Sequence, residues 1–164
     1  MLGLLLLALI AGFLVKLVDW LDDDAKSRHP VKFLFALIYG AIIGYLISVA
    51  SFGMLFLAAL VGQVFARKVD TLAHRVGFLV AALSMLCLGI PVFDALPFVV
   101  FLVAAFLDEA DYVGKLRPLN DWRPFLKLTP LLFVVVGRWD YFAGIIAFDI
   151  GYEASLRLAR KFGR

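Results

Sequence analysis

Four aspartates stand in two runs of identical spacing. Asp19, Asp22, Lys26 and Arg28 follow the pattern D-x2-D-x3-K-x-R, and 89 positions later Asp108, Asp111, Lys115 and Arg117 follow it again. Aspartates three apart share one face of a helix. Clustered carboxylates are hard oxygen ligands suited to Mg²⁺, which commonly bridges protein to a substrate phosphate. The lysine and arginine that follow each pair are placed for phosphate oxygens. If the two faces meet, Asp19, Asp22, Asp108 and Asp111 hold the metal, and Lys26, Arg28, Lys115 and Arg117 hold the phosphate. The same residues also fit a solvated rim of charge at helix ends, with surface ion pairs accounting for the acids.

The elements that must position these residues are apolar. Each run closes about twenty mostly apolar residues, so its acids fall at a helix C-terminus that the macrodipole already makes negative. A positive partner is therefore expected beside each. With 64% hydrophobic and 18% charged residues and a mean hydropathy of +0.99, the chain is too apolar for an ordinary soluble domain. The apolar runs are continuous rather than alternating, which predicts an all-α polytopic membrane bundle and not a barrel. Seven transmembrane helices are expected, at about 1–21, 31–49, 52–67, 76–92, 95–111, 123–137 and 140–160. Several are shorter than the ~20 residues usually needed to cross, and 52–67 and 123–137 are open to tilt, local thinning or re-entry. Met1 to Trp20 lacks a basic start and an A-x-A site, so it is expected to stay as the first helix. Cys87 is the single cysteine, which predicts no intrachain disulfide.

Orientation follows from the basic residues, which favour the cytoplasmic side. Lys26, Arg28 and Lys32 lie in one connection, Arg67, Lys68 and Arg75 in another, and Lys115, Arg117 and Arg123 in a third. The alternate connections are free of cations except for Arg138. This predicts an N-terminus outside the cell membrane and a cytoplasmic C-terminus. The net charge of +3 sits at helix ends, which suits orientation and anionic lipid rather than nucleic acid. The 89-residue offset carries helices one to three onto five to seven. The chain therefore reads as two parallel three-helix repeats joined by a linker helix, 3+1+3, with repeat A at 1–70, the linker at 71–92 and repeat B at 93–164. Gly62 falls on Gly151 and Ala58 on Ala147 in this register.

Further polar residues interrupt the apolar runs. Asp149, Glu153 and Arg157 share one face of the seventh helix, and an acid at that depth faces a cavity or a partner. A Glu153–Arg157 pair within the helix is the simpler alternative. Gln63 in the third helix suits an interhelical hydrogen bond or a polar path. Asp70, His74 and Arg75 cluster at the start of the fourth helix, where a histidine serves as an interface anchor or a base. His29 precedes Pro30 at a loop-to-helix boundary. Trp20, Tyr39, Tyr45, Trp122, Trp139 and Tyr141 fall near the expected interfaces, as an aromatic belt does. Gly40-x3-Gly44 marks close helix packing.

The doubled aspartate motif resembles that of the UbiA-type intramembrane prenyltransferases. In that family, Asp-rich motifs four helices apart hold Mg²⁺ on a prenyl diphosphate under a lipid-open cavity. Asp19-x2-Asp22 with Lys26, Arg28 and Pro30 stands where the first motif would, and Asp108-x2-Asp111 with Lys115 and Arg117 where the second would. The chain is little more than half the family's usual length, and Lys26 stands near the place of the first motif's last acid. The 3+1+3 pattern is also similar to the SWEET and PQ-loop transporters, without their Pro-Gln pair. The resemblance implies a Mg²⁺-dependent membrane enzyme acting at the cytoplasmic face on a lipid-linked phosphate or diphosphate. Its partners would be membrane lipid, that substrate and, as an open case, a second copy of the chain. The alternatives are a small transporter for a cation or polar solute, with Asp149, Glu153 and Gln63 along its path, and a structural subunit of a membrane complex.

Overall fold

The computed structural model describes residues 1–24, 30–110, 112–117, 119 and 122–162. Among these, the regular elements are all helical. They are α1 (Leu2–Asp19), running into a π-turn at Trp20–Asp24, α2 (Val31–Val49), α3 (Gly53–Phe65), α4 (Leu72–Leu88) and α5 (Ala95–Asp108). After a 3₁₀ turn at Gly114–Leu116 come α6 (Pro124–Leu128), α7 (Leu131–Val134) and α8 (Trp139–Phe162). These correspond to the seven apolar segments of the sequence, with α6 and α7 as one broken segment. Two helices, Leu2–Asp22 and Val31–Val49, are long and apolar enough to cross a membrane. Gly53–Phe65, Leu72–Leu88, Ala95–Asp108 and Pro124–Val134 are shorter apolar helices.

The fourth and sixth segments depart from the sequence reading, each for a local reason. The fourth helix begins at Leu72 rather than near residue 76, because Thr71 caps it, its Oγ1 accepting the His74 N–H at 3.4 Å. His74 is thereby held in a first turn. The same helix stops at Leu88, before Gly89 at φ 106°, a conformation that glycine adopts without strain. The segment expected at 123–137 breaks at Thr129 and Pro130, where proline has no N–H to continue the ladder.

Glycines set how closely the helices approach. α1 packs along α8 and α2, α2 along α4, and α3 along α5. A Cβ on Gly12 would overlap the Phe148 carbonyl, and one on Gly151 would overlap that of Leu9, so α1 and α8 touch backbone to backbone. Gly40 and Gly44 meet the carbonyls of Gly77 and Ala81 in the same way. The Gly40-x3-Gly44 packing face therefore finds its partner, α4, within this chain.

The end of the bundle holding the α2–α3 turn is closed by aromatics and one cation. Phe101, Phe133 and Tyr141 meet with ring centroids 4.9 to 5.3 Å apart. Arg138 lies 4.3 Å over the Tyr141 ring, donates to both Asp140 oxygens at 3.1 Å and to the Ser51 carbonyl at 2.8 Å. The Asp140 hydrogen bonds raise the guanidinium pKa above its ordinary value. The cation that breaks the charge pattern of the connections is thus neutralised where it stands. Large apolar side chains such as Leu6, Leu34, Leu79, Leu86, Val99 and Ile150 remain exposed.

Candidate functional site

A cavity of about 640 Å³ opens among α1, α2, α3, α4, α5, α6 and α8. Its lining changes character along the helices. Tyr39 on α2, Gln63 on α3, His74 on α4, and Tyr152 and Glu153 on α8 lie toward the end where α1 and α5 terminate. Ile43, Leu55, Phe56, Phe78, Ile145 and Phe148 line it one or more turns deeper on the same helices. The cations Lys16, Arg123, Lys127 and Arg160 line the polar part, as do the acids Asp108, Glu109 and Asp149.

The end of α1 is held by side chains. His74 Nε2 lies 2.7 Å from Asp19 Oδ1, while Tyr152 donates its hydroxyl to Oδ2 at 3.3 Å and Lys16 donates to Oδ2 at 3.4 Å. Lys16 also sits 5.3 Å from the Tyr152 ring centroid. The other histidine nitrogen, Nδ1, is 3.0 Å from the Tyr39 hydroxyl. Asp22 pairs with Lys32 through Oδ1, and its buried Oδ2 has no hydrogen-bond partner among the described residues.

The end of α5 is held by backbone. Asp108 accepts the Phe125 N–H at 2.9 Å and the Leu126 N–H at 2.6 Å, one on each carboxylate oxygen. It thereby satisfies N–H groups that the first turn of α6 leaves open. Arg123 precedes that turn at φ 44°, with its guanidinium 3.4 Å from Glu109. Lys127, one turn into α6, reaches Asp149 of α8 at 3.1 Å.

The structure thus gathers part of the residue set expected from sequence and adds to it. Asp108, Asp149, Glu153 and Gln63 all line the cavity. Asp149 is paired with Lys127, and Arg157 is exposed with Arg160 lining the cavity in its stead. Arg117 is exposed and outside the lining. Lys26, Arg28, Asp111 and the Lys115 side chain lie outside the described residues, as does His29. The positive partner expected at each aspartate-terminated helix is present. Among the described residues it is supplied by Lys16, Lys32, His74 and the backbone of α6. Those partners occupy both oxygens of Asp19 and of Asp108. Among the described residues no group of three His, Cys, Asp or Glu is placed to hold a metal ion, and Asp111, one of the four expected ligands, lies outside them.

Sequence reasoning passed over Lys16, Tyr39, Glu109, Arg123, Lys127, Tyr152 and Arg160. Lys16 carried a usable signal, a lone cation inside the first apolar run. Tyr39 read equally well as belt. No family model matches the chain, and no curated protein or solved structure matches it either.

Proposed function

We propose that the cavity binds a lipid carrying a phosphate or diphosphate head, such as a prenyl diphosphate, and that the protein is a membrane enzyme acting on it. The observation that carries this reading is the graded lining. Lys16, Arg123, Lys127 and Arg160 line the polar end, the first three paired with Asp19, Glu109 and Asp149, with an aliphatic and aromatic wall deeper along the same helices. Cations at one end suit phosphate oxygens, and the apolar wall suits the first part of a hydrocarbon tail. The exposed leucines and isoleucines of the outer surface favour a lipid surround. A bundle of seven crossings with the polar end in the cytoplasm is part of the proposal, motivated by the basic connections near that end. So is the 3+1+3 duplication. It is supported by exchange between the halves, since α1 packs on α8 and α5 on α3, with Gly151 and Gly62 at the two seams.

The test is equilibrium binding of the purified full chain to farnesyl diphosphate, farnesol and inorganic diphosphate, each with and without Mg²⁺. Farnesyl diphosphate should bind tightest, and Arg123→Ala and Lys127→Ala should each weaken it about tenfold, as loss of a charge-assisted contact does. Equal binding of farnesol would sink the reading. A second reading, passage of a cation or polar solute, draws on Asp149, Glu153 and Gln63 in the same lining. It requires Asp149→Asn to change solute flux into proteoliposomes.

A further inference from the structure

Tyr39, His74 and Asp19 form a hydrogen-bonded chain that ends on the cavity wall. His74 Nε2 is 2.7 Å from the Asp19 carboxylate, and Nδ1 is 3.0 Å from the Tyr39 hydroxyl. An ionised carboxylate accepts and cannot donate. With the imidazole neutral, Nε2 therefore carries the proton, Nδ1 is the bare nitrogen, and Tyr39 donates its O–H to it. The Tyr39 oxygen keeps its lone pairs. Tyr39 and His74 both line the cavity, and Tyr39 is 5% exposed, so the residue borders the cavity but is shielded from bulk water.

The surroundings hold this geometry from three sides. Gly77 leaves room for the tyrosine, since a Cβ there would overlap the ring and the hydroxyl. Thr71 fixes the first turn that carries His74. Lys16 and Tyr152 hold Asp19 from the other side. A lipid-binding cavity needs none of these contacts.

We propose that Tyr39 is the acid–base hydroxyl of this cavity, and that the acceptor of the transfer is accordingly a hydroxyl compound, an alcohol or water. This rests on the lipid-diphosphate reading above. In the step, the acceptor O–H proton passes to the Tyr39 oxygen as Tyr39's own proton passes to His74 Nδ1. The acceptor oxygen bonds to the prenyl carbon, the bond from that carbon to the diphosphate oxygen breaks, and diphosphate leaves with the electron pair. Asp19 balances the imidazolium so formed. Tyr39 is the catalytic residue, and His74 and Asp19 are positioning residues.

The experiment uses the full chain in lipid nanodiscs with farnesyl diphosphate, following diphosphate release with monoolein or with water alone as acceptor. Y39F should keep the farnesyl diphosphate Kd within about twofold and lose roughly 10²- to 10⁴-fold in rate, the usual worth of general acid–base assistance. H74Q should lose rate comparably, since the group that takes the Tyr39 proton is gone. The sequence holds two histidines, so H29Q leaves the ¹⁵N imidazole signals of His74 alone in the spectrum. In that background Y39F should move the Nδ1 signal. A wild-type rate in Y39F, bound farnesyl diphosphate that turns over with neither acceptor, or an unmoved Nδ1 signal would each overturn the proposal. Failure of the wild type to bind farnesyl diphosphate would remove the cavity reading, and the relay's role with it.

Discussion

Asp19 closes α1 and is met by side chains, from His74 on α4, Tyr152 on α8 and Lys16 on its own helix. Asp108 closes α5 at the equivalent place 89 residues on, and is met by the N–H groups of Phe125 and Leu126. Both aspartates sit where a helix end is negative and a positive partner is demanded. Side-chain donors satisfy the first, and the start of another helix satisfies the second. The two solutions have different consequences. Backbone donors cannot pass on a proton, so Asp108 braces α6 and sets Arg123 and Lys127 over the cavity. An imidazole can, so Asp19 anchors a chain of exchangeable protons.

Substitutions can separate these two roles by size of effect. Gly77→Val should cost about 1–3 kcal/mol, the usual penalty for overpacking, because its side chain must displace the Tyr39 ring beside the Asp19 network. Unfolding of the purified protein in denaturing detergent would read that loss, and a neutral outcome would mean that α2 and α4 pack less closely than described. Asp108→Ala should cost about 1–2 kcal/mol, as loss of a helix cap does, with Asp108→Asn costing less because one acceptor oxygen remains. If the two variants were equally stable, the capping account of Asp108 would fail. Asp19→Asn keeps an acceptor oxygen but weakens its donors, and a loss of about 0.5–1.5 kcal/mol is expected. A larger loss than that of Asp108→Ala would reverse the comparison, making the α1 end the structural brace. Arg138→Gln, at the far end from both, should change stability by under about 1 kcal/mol, since its ion pair with Asp140 is partly exposed.

The helices were legible in the sequence because their signal is local. Long apolar runs bounded at one end by charged residues mark where α1, α2, α3 and α5 lie. α4 was placed four residues late, since Thr71 as a cap competes with the apolar count that begins nearer Val76. Within the cavity, Asp149, Glu153 and Gln63 were legible because a polar residue inside an apolar run must face something other than lipid. The same reasoning applies to Lys16 and was missed beside the larger acidic cluster. Tyr39 and Tyr152 were not legible, because a tyrosine near a helix end is equally well placed in an interface belt. Arg123 sits in a basic connection, where orientation alone explains it, whereas Lys127 lies inside the sixth apolar segment and carried the same signal as Lys16.

By itself the sequence determined that this chain forms apolar helices, where they begin and end to within a few residues, and that acids closing α1 and α5 demand positive partners. Those properties depend on spacing along one chain direction. Which partner answers each acid was decided only by the tertiary structure. His74 lies 55 positions from Asp19, and Phe125 lies 17 from Asp108. Their meeting depends on how closely the glycine-lined helices approach, which no local pattern specifies.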